Sequence, residues 1–267
     1  MRLSLLALSL VLASTAHAAD GARIGIGAET SSGRYGTQSK TRIDSVPVTV
    51  SGTRGAWTVK ASLPWVRVEG DANVVPGLGG VSNLNPLGRG RTGLPIIDPA
   101  PGTEAAPQRG RASGVGDLRV STTYAVTGAK AGVGLTANAK IATADEDKGL
   151  GTGANDYGAA VDAYRNVGST TLFGGVGYTR FGESRYIDVE SAAHANAGVS
   201  VAAGRGRVGV QVDWREAVTR TSEARRDATG FYARPVGKAS EVQVFAGKGM
   251  SDGSPDWSAG VGVTVGF

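Results

Sequence analysis

The chain has no cysteine in 267 residues, which removes disulfides, thiolate nucleophiles and thiolate metal sites in one step. Histidine is nearly absent too. His17 falls in an N-terminal segment expected to be cleaved, so His194 is the one imidazole left for catalysis or metal binding. No stretch approaches the roughly 20 apolar residues that a membrane helix requires, and the longest apolar run, Leu3 to Ala13, stops well short. Basic residues outnumber acidic ones only 28 to 23 and are scattered. That balance is too mild and too dispersed for a nucleic-acid surface.

Glycine is what the chain has in excess. Its 42 residues are more than twice the usual share of about 7 %, without a collagen period. Glycine at that density suits strands whose backbones approach closely and whose inward side chains must be small. The C-terminal segment shows the pattern best. Trp257, Ala259, Val261, Val263, Val265 and Phe267 fall on one side of an extended strand, and Ser258, Gly260, Gly262, Thr264 and Gly266 on the other. A soluble protein hides such an apolar side in its core. A membrane barrel turns it to lipid, with aromatics at the two interfaces. The mean hydropathy of −0.09 conceals this, because half of every barrel strand is polar.

The N-terminus fits export. Arg2, the apolar run and Ala16-His-Ala18 form a basic start, a hydrophobic stretch and a small-x-small site, as in a secretory signal peptide. Residues 1–18 are expected to be cleaved, leaving 19–267 as a single barrel domain.

Period-two alternation with turn punctuation predicts twelve strands: 22–30, 40–51, 56–68, 115–127, 130–142, 154–166, 170–181, 191–203, 206–217, 227–236, 239–249 and 255–267. Every second connection is tight, at Gly52–Gly55, Gly128-Ala129, Val167–Ser169, Gly204-Arg205 and Gly237-Lys238. The others are longer, above all 69–114. Short periplasmic turns alternating with longer extracellular loops are the pattern of a transmembrane antiparallel β-barrel. A soluble β-sandwich does not explain it. Pro47 and Pro64 fit poorly inside strands, since a closed barrel has no free edge for a missing donor; bulges, or upper segments that leave the ladder, are the expected resolution.

Strand parity sorts the residues. Trp57, Trp65, Tyr124, Tyr157, Tyr178, Trp214, Trp257 and Phe267 lie near strand ends on the apolar face, as membrane-interface aromatics would. The opposite parity gives a candidate solute path lined by Arg23, Glu29, Lys60, Asp117, Arg119, Lys140, Asp156, Asp162, His194, Arg207, Asp213, Arg215 and Glu241. Both signs occur, often two residues apart. Two readings stay open: a paired network filling a narrow barrel, or charged walls that select solutes. The proline-rich 69–114 connection is likewise a lid over the mouth or a surface loop.

Catalytic arrangements are weak. His194 has inward parity and no serine two residues away, against a phospholipase-type site on the lipid face. Asp145-Glu-Asp147 lacks the spacing of a calcium loop, and Gly149-Leu-Gly-Thr-Gly153 precedes a strand where a phosphate loop precedes a helix. No enzyme activity, metal or cofactor is expected.

Several runs are characteristic: Ile141-Ala-Thr-Ala-Asp-Glu-Asp-Lys-Gly-Leu-Gly-Thr-Gly-Ala-Asn-Asp-Tyr157, Gly247-Lys-Gly-Met-Ser-Asp-Gly-Ser-Pro-Asp-Trp257, Gly116-Asp-Leu118 and Leu63-Pro-Trp65. Together they resemble the outer-membrane β-barrel transporters associated with phenol and aromatic meta-pathway degradation. The resemblance implies passive uptake of small molecules, hydrophobic or aromatic ones among them, across the Gram-negative outer membrane; it carries over no site residues. The strand ending at Phe267 also resembles the signal by which the barrel-assembly machinery recognises such proteins. Outer-membrane lipid and lipopolysaccharide are the expected surroundings. The alternative is a structural or adhesion-type barrel with a plugged lumen.

Overall fold

The computed structural model describes residues 20–80, 109–184, 187–220 and 222–267. The expected signal peptide and most of the 69–114 connection lie outside the described residues. Fifteen strands and no helix form among those described: β1 (Gly21–Gly33), β2 (Thr41–Arg54), β3 (Trp57–Asp71), β4 (Val74–Val75), β5 (Gly79–Gly80), β6 (Arg109–Val115), β7 (Leu118–Thr127), β8 (Ala131–Ile141), β9 (Asp156–Val167), β10 (Thr170–Arg180), β11 (Ala192–Ala203), β12 (Gly206–Arg215), β13 (Arg225–Val236), β14 (Ser240–Gly249) and β15 (Trp257–Gly266).

β1–β3 and β7–β15 form a closed twelve-stranded antiparallel barrel. Closure is made by β15 against β1, from Arg23↔Gly266 to Ser32↔Trp257, and the Phe267 N–H donates to the Ala22 carbonyl at 2.9 Å. The turns at Gly168 and Gly204, both with φ 59°, use the left-handed conformation that tight hairpins require.

One wall position is split. β7 pairs with the lower part of β3, Trp57↔Tyr124 to Ser62↔Arg119. β6 takes over higher up, from Trp65↔Val115 to Asp71↔Arg109. Between them Gly116 and Asp117 leave the ladder, and the Gly116 N–H donates to the Pro64 carbonyl at 2.8 Å. The expected strand over 115–127 is thus an upper and a lower segment, and the long connection runs over 72–108 instead of 69–114.

The two awkward prolines account for the split. Pro47 and Pro64 are direct cross-strand partners. On the far side of Pro47 the β1–β2 pairing skips from Ile26↔Val48 to Glu29↔Ser45; on the far side of Pro64 lies the β6–β7 break. Each proline sits where a neighbouring ladder is interrupted, so neither leaves an acceptor waiting for its missing N–H.

At this level the polarity of the strands also inverts. Below it the outer face is apolar and uncovered: Val48 48 %, Val59 52 % and Val176 61 % exposed. Above it Ile43, Val66 and Val68 point inward and are buried, at 3 % or less, joined by Tyr35, Val74, Ala112 and Leu150. Arg42, Asp44, Arg67 and Glu69 occupy the outer face there and form ion pairs. A soluble monomer does not leave a continuous apolar band bare. Hydrocarbon covers the lower zone and water surrounds the upper one.

Candidate functional site

The extracellular half of the lumen holds a cavity of about 210 Å³. Of the residues expected on the inner wall, Lys60, Arg119, Lys140, Asp162, His194, Asp213 and Arg215 line it. Arg225 and Asp227 line it too. Arg225 was missed because β13 begins two residues before the expected strand 227–236, and Asp227 stands at that strand's first position, where too little of the pattern precedes it to fix its face.

The charges are brought together in pairs. Lys140 Nζ lies 3.2 Å from both Asp117 Oδ2 and Asp156 Oδ2 and donates to Thr152 Oγ1 at 2.7 Å. All three charged groups are at least nine-tenths buried. Asp117 Oδ1 also accepts the N–H groups of Thr143 and Ala144, and Asp156 Oδ1 accepts that of Gly182. This cluster fastens two extracellular loops to the wall. Arg225 Nε pairs with Asp227 Oδ2 at 2.8 Å, and Gln211 Nε2 donates to Asp213 Oδ1 at 2.6 Å. Glu29 lies within electrostatic reach of Lys60 and Arg119. Counted with the carboxylates behind them, five cations (Lys60, Arg119, Lys140, Arg215, Arg225) face six carboxylates (Glu29, Asp117, Asp156, Asp162, Asp213, Asp227). The chamber is close to neutral, which argues against strong selection by ion sign.

The mouth is covered from above by the start of the long connection. The β4–β5 hairpin turns inward, and Val75 and Leu78 pack with Phe181, Ile187, Ala192 and Val218. Arg215 reaches up from the chamber wall to donate to the carbonyls of Gly77 at 2.8 Å and Leu78 at 2.6 Å.

Arg23, Arg207 and Glu241 are not part of the chamber. They sit near the periplasmic end, where Arg23 lies within electrostatic reach of Glu241. Arg207 is held by Ser200 and Thr171, donating to the Thr171 hydroxyl at 2.8 Å. The aromatics Trp57, Trp65, Tyr124, Tyr157, Tyr178, Trp214, Trp257 and Phe267 all stand on the outer face, from 37 % to 77 % exposed. Trp57 and Tyr124 pair there at 5.0 Å.

A second aromatic set was hidden by its parity. Phe173 and Phe231 are buried inside the barrel with Ala233, and Tyr164 and Phe245 pack against them. The Phe173 and Phe231 rings meet at 6.4 Å between centroids. Each of the four aromatics is the cross-strand partner of a glycine: Tyr164 of Gly132, Phe173 of Gly198, Phe231 of Gly209, Phe245 of Gly260. A Cβ on any of these glycines would run into the ring beside it. The signal available in the sequence was this aromatic–glycine matching, which can be read only once the strand register is known.

Asp145 pairs with Lys148 at 2.8 Å, and that hydrogen bond holds its carboxyl below the usual range. Among the described residues no group of three or more side chains is placed to hold a metal ion.

No curated protein matches the sequence. Among solved structures, the COG4313 outer-membrane channel from Pseudomonas putida F1 superposes with a TM-score of 0.68 at 11 % identity, covering 95 % of this chain and 98 % of that one. The KdgM porin gives 0.52 at 10 % identity over 92 % and 99 %. The β domain of the Bordetella autotransporter BrkA gives 0.53 at 14 % over 93 % and 100 %. At such identities the likeness is one of fold, and the fold is that of outer-membrane barrels. Residues 21–267 match the family described as "Putative MetA-pathway of phenol degradation", and the chain belongs to that family.

Proposed function

We propose that this protein is an outer-membrane channel for passive uptake of small molecules, hydrophobic or aromatic compounds among them. The observation that carries the reading is the closed barrel itself, with an apolar outer belt and a polar chamber in its extracellular half. A lipid surrounding and a transport role agree with the channels and porins of the same fold. Solute would enter the chamber past the β4–β5 hairpin and leave at the periplasmic end. No cofactor is needed for such passage.

The same proposal has residues 1–18 cleaved on export, the outer-face aromatics at the two membrane interfaces, and lipopolysaccharide around the extracellular rim. It also has the strand ending at Phe267, which is 77 % exposed, presented to the assembly machinery. Swelling of proteoliposomes in sugars, amino acids and aromatic acids tests the function. Faster swelling than in empty vesicles is expected for at least one class. A folded barrel that admits none would leave the structural or adhesion-type reading in its place.

A further inference from the structure

The chamber stops partway down the lumen. None of Tyr164, Phe173, Phe231 and Phe245 lines it, although all four have inward parity on strands β9, β10, β13 and β14. Inside a water-filled bore, inward phenylalanines would be wetted; Phe231 is 3 % and Phe173 9 % exposed. Their burial is built in by register. Two aromatic pairs, Tyr164↔Phe173 and Phe231↔Phe245, are each flanked by the glycines noted above. Phe173 leans over Gly198 and Phe231 over Gly209, so the two pairs converge across β11 and β12. Thr58, Thr123 and Thr136 form a cross-strand row of small polar residues on β3, β7 and β8, the last two at the chamber wall.

We propose that this aromatic layer, Tyr164–Phe173–Phe231–Phe245, is the constriction of the lumen and the element that sets what passes. The inference rests on the channel reading above. Chamber and layer act in series. The chamber is nearly neutral and hydrated, so it admits solutes of either sign. The layer offers ring faces in place of water, and a hydrated ion meeting it loses hydration without replacement. A solute with an apolar face exchanges water for ring contact and crosses at less cost. Ion leak is therefore governed by four carbon surfaces, while the charged wall above them governs entry.

Planar-bilayer conductance in potassium chloride tests this on the full-length protein, with folding checked by heat-modifiable gel mobility. Phe173→Ala/Phe231→Ala should raise single-channel conductance several-fold over the unaltered protein, whereas Phe231→Leu, which keeps the apolar bulk, should stay near it. Because the double variant removes two buried rings, Phe245→Ala serves as a milder case with a smaller rise. Unchanged conductance in folded Phe173→Ala/Phe231→Ala and Phe245→Ala, with solute swelling intact, overturns the constriction and leaves the channel standing. Silence of every form in both conductance and swelling overturns both.

Discussion

The two halves of the lumen solve one problem by opposite means. Each must fill the inside of a barrel whose outer face is reserved for lipid. The extracellular half does it with charge, and Lys140 between Asp117 and Asp156 is its centre. The periplasmic half does it with rings on glycine, and Phe231 over Gly209 is its type. Charge pairs reach outward to loop backbone, so the upper half is fastened to its extracellular loops. Phe173, Phe231 and Phe245 pack by contact alone, and Tyr164 adds a hydrogen bond from its hydroxyl to the Gly128 carbonyl at 2.9 Å, so the aromatic layer needs no charged partner. The upper half should therefore fail by losing a partner and the lower half by gaining an atom.

The largest effect should follow loss of Lys140. Lys140→Met keeps the stem and removes the ammonium, leaving two buried carboxylates with no counter-charge between them. Removal of one partner from a buried ion pair costs about 3–5 kcal/mol, and this ammonium serves two. Urea unfolding of the barrel in lipid vesicles should show a loss of that order, together with new proteolytic cleavage between 142 and 155. A loss below about 1 kcal/mol would mean that the carboxylates rehydrate, and that the upper half is not held by charge.

Arg215 is next. Its two donated hydrogen bonds hold the β4–β5 hairpin, and bonds to a charged group contribute about 1.5–3 kcal/mol each where water does not replace them. At the mouth water is near, so Arg215→Ala should fall at the lower end and act locally. Hydrogen exchange within 74–80 should accelerate while the barrel strands stay protected. If the aromatic layer is the narrowest point, ion conductance should not change. A large conductance rise in Arg215→Ala would move the constriction up to the hairpin.

The converse experiment adds atoms below. Gly209→Leu places a side chain where the Phe231 ring lies, and overpacking a filled interior typically costs about 1–3 kcal/mol. Stability should drop by that amount in the same unfolding assay. Gly204→Ala, at a turn with no neighbour in the way, should cost only its backbone strain at φ 59°. Equal losses at the two sites would show that the layer is loosely packed.

The difference between the halves also decides what could be read in advance. Strands bathed in lipid announce themselves, because Val208, Val210 and Val212 alternate with small or polar residues, and their bounds agree with the expected ones closely. Above the lipid the rule inverts. Arg111 and Ser113 stand outward on β6, with Gly110, Ala112 and Gly114 inward, so apolar alternation is lost and β6 reads as loop. The inward charges of the chamber were legible by parity, since an ionised group on the lipid face would cost about 2–4 kcal/mol at midplane. Phe173, Phe231 and Phe245 share the inward parity, but their packing was not legible, because what receives each ring is a glycine on the next strand and that pairing is a fact of register. Pro47 and Pro64 were recognised as misfits, but that they face each other is a fact of register.

The smallest effect isolates burial as the variable. Lys148 and Lys140 both bind aspartate, the first within the connection between β8 and β9, the second from the end of β8 to Asp117 and Asp156. Lys148 and Asp145 are 59 % and 41 % exposed at 2.8 Å; Lys140 and Asp117 are both 8 % exposed at 3.2 Å. Distance alone would rank the exposed pair as the stronger. Solvent screening and the entropy of ordering two long side chains reverse that order, and exposed pairs contribute about 0–1 kcal/mol. Lys148→Ala should leave the unfolding midpoint within error, and whatever difference it makes should vanish at molar salt, where the screening length falls to about 3 Å. The effect of Lys140→Met should largely persist at the same ionic strength, because buried charges are screened much less by salt than exposed ones.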